Sequence, residues 1–185
     1  MKTACDIDGV ICDIHSEIKN RVRSDLGIEL PENYSDWNDL DEMGISNKWI
    51  YRTLFRDEWF WARAAPYEDN INRLNRWSKD GHEVHLVTGR DKDLCGMVTT
   101  AWLKRNHVDF HTLAFAPVMH KLVYLKENAI PVIIEDRFFE ANRCASFGIR
   151  AYVVKRPWNE EYIDRNTNPL LRFVDDLSEI VLEDL

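Results

Sequence analysis

Two carboxylates, Asp6 and Asp8, stand one residue apart in Thr3-Ala4-Cys5-Asp6-Ile7-Asp8-Gly9-Val10, where an apolar stretch runs into a turn. Strand alternation puts residues two apart on one face, so both acids point the same way if the strand runs that far. Like charges this close repel, and a site that keeps both ionised needs a cation or a shared proton. Burial without such compensation is costly. Gly9 follows at once and lets the backbone turn tightly. The bland alternative is a solvated acidic turn after a short strand, and Asp-x-Asp alone does not separate the two readings.

Other polar groups follow other apolar runs. Val84-His85-Leu86-Val87 leads into Thr88-Gly89-Arg90, and Pro131-Val132-Ile133-Ile134 leads into Glu135-Asp136-Arg137. Lys121 comes after a short predicted strand, Leu113-Ala114-Phe115, and near the start of a helix carrying Leu122 and Leu125. Each has an ordinary explanation. Thr88 can simply end a strand, Lys121 can be a solvated lysine, and Glu135 and Asp136 can cap the next helix. His120 beside Lys121 reads as structural or solvated, His85 as a satisfied core residue, and His15 as close enough to the first acids to approach them. Arg90 and Arg137 each follow a motif and can bind phosphate or make rim ion pairs.

The elements that must position these groups alternate. Ile14, Ile18, Val22 and Leu26 recur at helical spacing, with Gly27 as terminator. Ile71, Leu74 and Trp77 mark a helix ending at Asp80-Gly81, and Asp91 or Asp93 can cap the next, which carries Met97, Val98, Ala101, Trp102 and Leu103. A helix from Glu140 to about Phe147 precedes a strand at Ala151-Tyr152-Val153-Val154 and a loop at Lys155-Arg156-Pro157-Trp158-Asn159. The tail from Val174 to Leu185 reads as a closing amphipathic helix. Alternating strands and helices predict an α/β fold, a Rossmann-like parallel sheet with helices on both faces. Ligands of such sheets gather at the carboxyl ends of the strands, where Asp6, Asp8, Thr88, Glu135 and Asp136 all fall.

From Pro31 to about Arg63 the pattern changes to an aromatic-rich stretch without a strand-like run, holding Tyr34, Trp37, Trp49, Tyr51, Phe55, Trp59, Phe60 and Trp61. It reads as a small inserted helical subdomain. Its aromatics either build a core of their own or line a pocket over the acids and stack on a flat ligand.

The 185 residues suit one domain, or a core with an insert, and 45% hydrophobic residues suffice for a sizeable core. A net charge of -8 argues against a polynucleotide-binding surface, though not against a small anion held by a metal and a few cations. Cys5, Cys12, Cys95 and Cys144 show no paired metal spacing and read as packed thiols in a reducing compartment. No signal peptide and no run of membrane-spanning length is visible, so the expectation is a soluble, cytoplasmic protein.

Taken together and in order, DIDGV, LVTGR, Lys121 and IIEDR resemble the four motifs of the haloacid dehalogenase superfamily of phosphohydrolases, over the whole chain. The resemblance implies a Mg²⁺-dependent phosphomonoesterase with Asp6 as nucleophile, forming an aspartyl-phosphate, and Asp8 as acid and base. It implies Thr88, Gly89 and Lys121 on the substrate phosphate, and Mg²⁺ on Asp6, the Asp8 carbonyl and one or both of Glu135 and Asp136. It also implies a catalytic core of 1–13 and 70–185, with 14–69 as a helical cap. DIDGVICD, the aromatic insert and Arg156-Pro157-Trp158-Asn159 are most similar to the 5'(3')-deoxyribonucleotidase-like group, which implies a nucleoside monophosphate as substrate. Another small phosphometabolite, a terminal nucleic-acid phosphate, or a non-catalytic binding role are the alternatives.

Overall fold

The computed structural model describes residues 1–34, 37–117 and 119–182. The side chain of Trp37 and the last three residues of the expected tail helix lie outside the described residues.

Strand β1 (Lys2–Cys5) lies inside a six-stranded sheet. Its neighbours are β4 (Glu83–Thr88) on one side and β6 (Val132–Glu135) on the other. Outside β4 lies β5 (Thr112–Phe115), and beyond β6 lie β7 (Arg150–Val154) and β8 (Leu171–Val174), all pairs being parallel. The crossovers turn to opposite sides at β1, so the crevice at its carboxyl end is the topological switch point where ligands of open α/β sheets bind. Register makes the strand ends nearly flush: Cys5 pairs with both Leu86 and Ile134, and the Asp6 N–H donates to the Ile134 carbonyl at 2.9 Å.

Both faces of the sheet are buried, as a parallel sheet requires. One face packs Leu86, Ile134 and Val154 against α5 (Glu68–Lys79) and α6 (Lys92–Arg105), through Leu74, Trp77, Trp102 and Leu103. The other packs Ala4, Ile133 and Val153 against α7 (Lys121–Glu127) and α8 (Phe138–Ser146), through Leu122, Leu125, Ala141 and Cys144. Asp91, rather than Asp93, caps α6 by accepting from the backbone of Asp93 and Leu94. All four cysteines are buried and unpaired.

A two-stranded antiparallel ribbon, β2 (Cys12–Asp13) with β3 (Ala65–Pro66), stands between the sheet and the inserted segment. Between its strands run α1 (Ile14–Leu26), α2 (Trp37–Glu42), α3 (Asn47–Trp49) with a wide π turn at Ile50–Phe55, and α4 (Glu58–Arg63). Asp13 caps α1 at its start, and Gly27 closes it in the left-handed conformation. Leu40, Ile45, Leu54 and Phe60 are buried and join the core on the α5–α6 side of the sheet, and the Trp102 indole N–H donates to the Ala64 carbonyl at 2.8 Å.

Two expectations are corrected. The tail is not one helix: Leu171–Val174 adds a strand beside β7, followed by a short 3-10 turn at Leu177–Glu179. Its buried Val174, Leu177 and Ile180 fit a helical stripe in sequence, but the open edge of β7 recruits Leu171–Val174 as a strand. Strand β1 also stops at Cys5, so Asp6 and Asp8 are not related by strand alternation. The chain turns back over Ile7–Cys12, where the N–H groups of Val10, Ile11 and Cys12 converge on the Ile7 carbonyl. Among the described residues, no helix is long and apolar enough to cross a membrane.

Candidate active site

Asp6 follows β1, Glu135 and Asp136 end and follow β6, and Lys121 opens α7, so three elements deliver one cluster. Asp6, Glu135 and Asp136 each offer a carboxylate oxygen within 4.8 Å of the other two. Lys121 Nζ lies between two of them, 2.9 Å from Asp6 Oδ2 and 2.6 Å from Glu135 Oε1. All four groups are buried. Lys121 is therefore not a solvated lysine, and neither acid caps α8, whose cap position is Arg137.

Three carboxylates meet the Lys121 ammonium in a buried place, with Arg137 also acting on Asp136. Burial pushes Asp6 up to about 7, with Glu135 and Asp8 adding to it and Lys121 pulling against it. Burial likewise raises Asp136 well above the carboxylate range, helped by Asp6 and Glu135. Burial opposes charge on Lys121, but Asp6 and Glu135 outweigh it and hold the ammonium above its ordinary value. Glu135 Oε2 is buried without a hydrogen-bond partner. An orphaned carboxylate oxygen beside clustered acids fits a hard divalent cation with oxygen ligands. Asp6, Glu135 and Asp136 are the side chains that would hold it.

Asp8 is placed differently. Arg90 donates from Nε to Asp8 Oδ2 at 2.9 Å and from Nη2 to Oδ1 at 2.6 Å, a two-pronged ion pair. Thr88 is fully buried behind the cavity wall, and its hydroxyl accepts from the Arg90 N–H at 3.2 Å. Gly89 itself faces the cavity.

Gly9 has φ +72°, and a Cβ there would lie 2.1 Å from Asp136 Oδ2. The glycine thus serves close approach between the first turn and the second acidic pair as well as the turn itself.

The loop after β7 supplies support that sequence reasoning did not assign. Trp158 Nε1 donates to Asp136 Oδ2 at 3.0 Å, and Asn159 Nδ2 donates to the Asp136 and Val154 carbonyls, both at 2.8 Å. Arg156 Nε donates to the Gly9 carbonyl at 2.8 Å. Spacing gives no hint of these bonds, because the partners are far apart in the chain; the one available signal was the similarity of the segment to the nucleotidase-like group.

His15 lines the site, with Nε2 3.9 Å from Asp136 Oδ2 and its ring stacked on Trp158 at 3.6 Å. Burial lowers it to about 4, so it is neutral at physiological pH. His120 is exposed, and His85 is buried with Nδ1 3.1 Å from the Tyr124 hydroxyl.

A cavity of about 340 Å³ opens onto this cluster. Asp6, Asp8, Lys121, Asp136, Gly89 and Arg137 are among the residues that line it. Tyr34, Tyr51, Phe55 and Trp61 from the inserted segment, with Ile14 and Ile18 of α1, form its apolar wall. The insert's aromatics divide between the two roles weighed above: Phe60 is buried in the core, Tyr51 and Phe55 line the cavity, and Trp59, 74% exposed, does neither.

No family model matches the chain. A curated protein of Halalkalibacterium halodurans with a provisional nucleotidase name is 21% identical over 158 residues, spanning 83% of this chain and 79% of its own length. Among solved structures, a HAD hydrolase of family IA from Entamoeba histolytica superposes with a TM-score of 0.61 at 14% identity, over 100% of this chain and 96% of that one. This is the haloacid dehalogenase fold. Protein tyrosine kinase A of Mycobacterium tuberculosis shares it, with a TM-score of 0.65 at 16% identity over 96% of each chain. The haloacid dehalogenase fold therefore carries differently named activities, and what this chain does must be argued from its site.

Proposed function

We propose that this chain is a Mg²⁺-dependent phosphomonoesterase that hydrolyses nucleoside monophosphates, deoxyribonucleotides among them, through an aspartyl-phosphate. The supporting observation is the buried convergence of Asp6, Glu135 and Asp136 around Lys121, with one Glu135 oxygen unpartnered. Asp6 attacks phosphorus, the ester P–O bond breaks, and Asp8, entering the step as the protonated acid, gives its proton to the departing oxygen. Asp8 then takes a proton from water, whose oxygen attacks phosphorus and returns Asp6 as a carboxylate. Thr88 steadies the 88–90 turn from behind, the Gly89 backbone faces the phosphoryl oxygens, and Lys121 balances charge on Asp6 and the phosphate. Asp6, the Asp8 carbonyl and one or both of Glu135 and Asp136 would hold Mg²⁺, which would neutralise phosphoryl charge.

Segment 14–69 acts as the cap over this site. Its Tyr34, Tyr51 and Phe55 offer flat apolar surface in the same cavity as the acids, suited to a nucleobase, while the Trp61 ring is taken up by Arg90. The nucleotidase name of the Halalkalibacterium halodurans relative points the same way. Phosphate release with Mg²⁺ from nucleotides, sugar phosphates and an aryl phosphate tests the reading. Nucleotides should turn over fastest, and Asp6→Asn should fall by several powers of ten while remaining folded. Release from none of these substrates overturns the proposal.

A further inference from the structure

Arg90 is engaged on every side. Its side chain is 1% exposed, and beyond the two bonds to Asp8 it donates from Nη1 to Thr99 Oγ1 at 3.1 Å and from Nη2 to Cys12 Sγ at 3.3 Å. Its guanidinium lies 4.7 Å from the centre of the Trp61 ring. Trp61 belongs to α4 of the inserted segment and is itself buried, with Phe55 stacked at 5.8 Å and Phe60 edge-on at 5.1 Å. A guanidinium is planar and donates in a fixed fork, so the plane in which it lies decides the plane in which a carboxylate can meet it. Here that plane is set from three places: Thr99 on α6, the turn carrying Asp8 and Cys12, and the Trp61 face on α4.

We infer that Trp61 is a positioning residue for Asp8, acting through Arg90, so that the seating of the inserted segment aligns the acid that serves the leaving group. The inference rests on the phosphatase reading above. Trp61 touches neither Asp8 nor the phosphate by any contact described; its hold on the reaction passes through the guanidinium. Apolar bulk at position 61 can fill the same space, but only a flat π face fixes the cation over it.

The reaction itself offers a readout that a merely structural role would not move. An alkyl phosphate such as a nucleotide leaves as a poor leaving group and needs the proton from Asp8, whereas p-nitrophenyl phosphate leaves with little help. kcat/KM reports steps up to release of the alcohol, so it isolates this need from the later attack of water. Trp61→Leu should lower kcat/KM for the nucleotide about tenfold more than for p-nitrophenyl phosphate, the weight expected of a desolvated cation–π contact. Trp61→Phe, which keeps a π face, should restore most of the difference. On an Asp8→Asn background Trp61→Leu should no longer change the ratio of kcat/KM for the nucleotide to that for p-nitrophenyl phosphate, because residues that act through one group are not additive. Should Trp61→Leu lose its melting transition, Trp61→Met carries the same comparison. Equal losses for the two substrates, no loss for either, or additivity with Asp8→Asn would overturn the inference and leave the phosphatase reading standing. Wild-type protein inactive on both substrates would instead remove the phosphatase reading on which it rests.

Discussion

Trp158 donates its indole N–H to Asp136 Oδ2 at 3.0 Å, and the same Asp136 has its backbone carbonyl held by Asn159. Groups that orient a metal ligand from behind typically carry a tenfold to about hundredfold effect on metal affinity. Trp158→Phe keeps the ring that stacks on His15 and removes the donor. It should weaken Mg²⁺ binding by roughly tenfold or more while moving the melting temperature little, as read by calorimetric titration and thermal melting. Unchanged Mg²⁺ affinity would show that Asp136 needs no such anchor.

Gly9→Ala should be among the most damaging small substitutions in the chain. The left-handed backbone at φ +72° costs a residue with a Cβ about 1–2 kcal/mol. The new methyl would also press on the Asp136 carboxylate, where 2.1 Å separates the Cβ position from Oδ2. Urea denaturation should show a loss above the backbone cost alone, and Mg²⁺ titration should show a weakened site. A variant as stable as wild type with normal Mg²⁺ affinity would contradict this close approach.

Lys121→Met should destabilise the metal-free protein, because removing one partner from a buried ion pair leaves its carboxylates unpaired. A cost of about 3–5 kcal/mol is usual for such a loss. Mg²⁺ should recover part of it, since a dication replaces the missing positive charge. Chemical denaturation with and without Mg²⁺ reads both, and a metal-free variant of wild-type stability would show that Lys121 carries no such burden.

The pH dependence of Mg²⁺ binding follows from Asp6, raised by burial to about 7, and Asp136, raised with it. Raised carboxyl groups give the folded state stability that is fully present below their unfolded values. That stability is lost as pH rises through their folded values. The metal-free protein should therefore lose this contribution between about pH 4 and 7, and proton and cation should compete for the same oxygens over that window. The rise in melting temperature on adding Mg²⁺ should be small at pH 5 and large at pH 8. His15, lowered by burial to about 4, works in the opposite sense, since its contribution is lost as pH falls below its unfolded value. An increment independent of pH, or one retained in Asp6→Asn, would break the link.

Much of the architecture was legible because parallel strands are buried on both faces and read as unbroken apolar runs. Leu86-Val87 and Ile133-Ile134 mark β4 and β6, and the polar residues after them mark the binding edge. The approach of Asp6 to Glu135 and Asp136 follows from that edge and the flush register of Cys5 with Ile134. Alternation failed for Asp8, because it describes only residues still in the ladder and β1 ends at Cys5. The Asp8–Arg90 pair then depends on how the turn folds back, which local pattern does not encode. Trp158 and Asn159 were illegible as supports for a similar reason, since a loop side chain is directed by tertiary packing rather than periodicity. The tail misled because Val174, Leu177 and Ile180 are spaced three apart, a stripe that a helix and a strand followed by a tight turn both satisfy.

The pairing of Cys5 with Ile134 has a consequence for how the molecule comes into being. The central strand is synthesised before both of its neighbours, and β6 follows it only after β4, β5 and the helices between them. Contacts this distant in sequence are slow to form, because the intervening loop must be closed before they give any return. β1 can pair with β4 first, but the cation pocket is completed only when β6 docks and brings Glu135 and Asp136 to Asp6. A nascent chain halted before Val132 should not retain the ion, whereas one extending beyond β8 should.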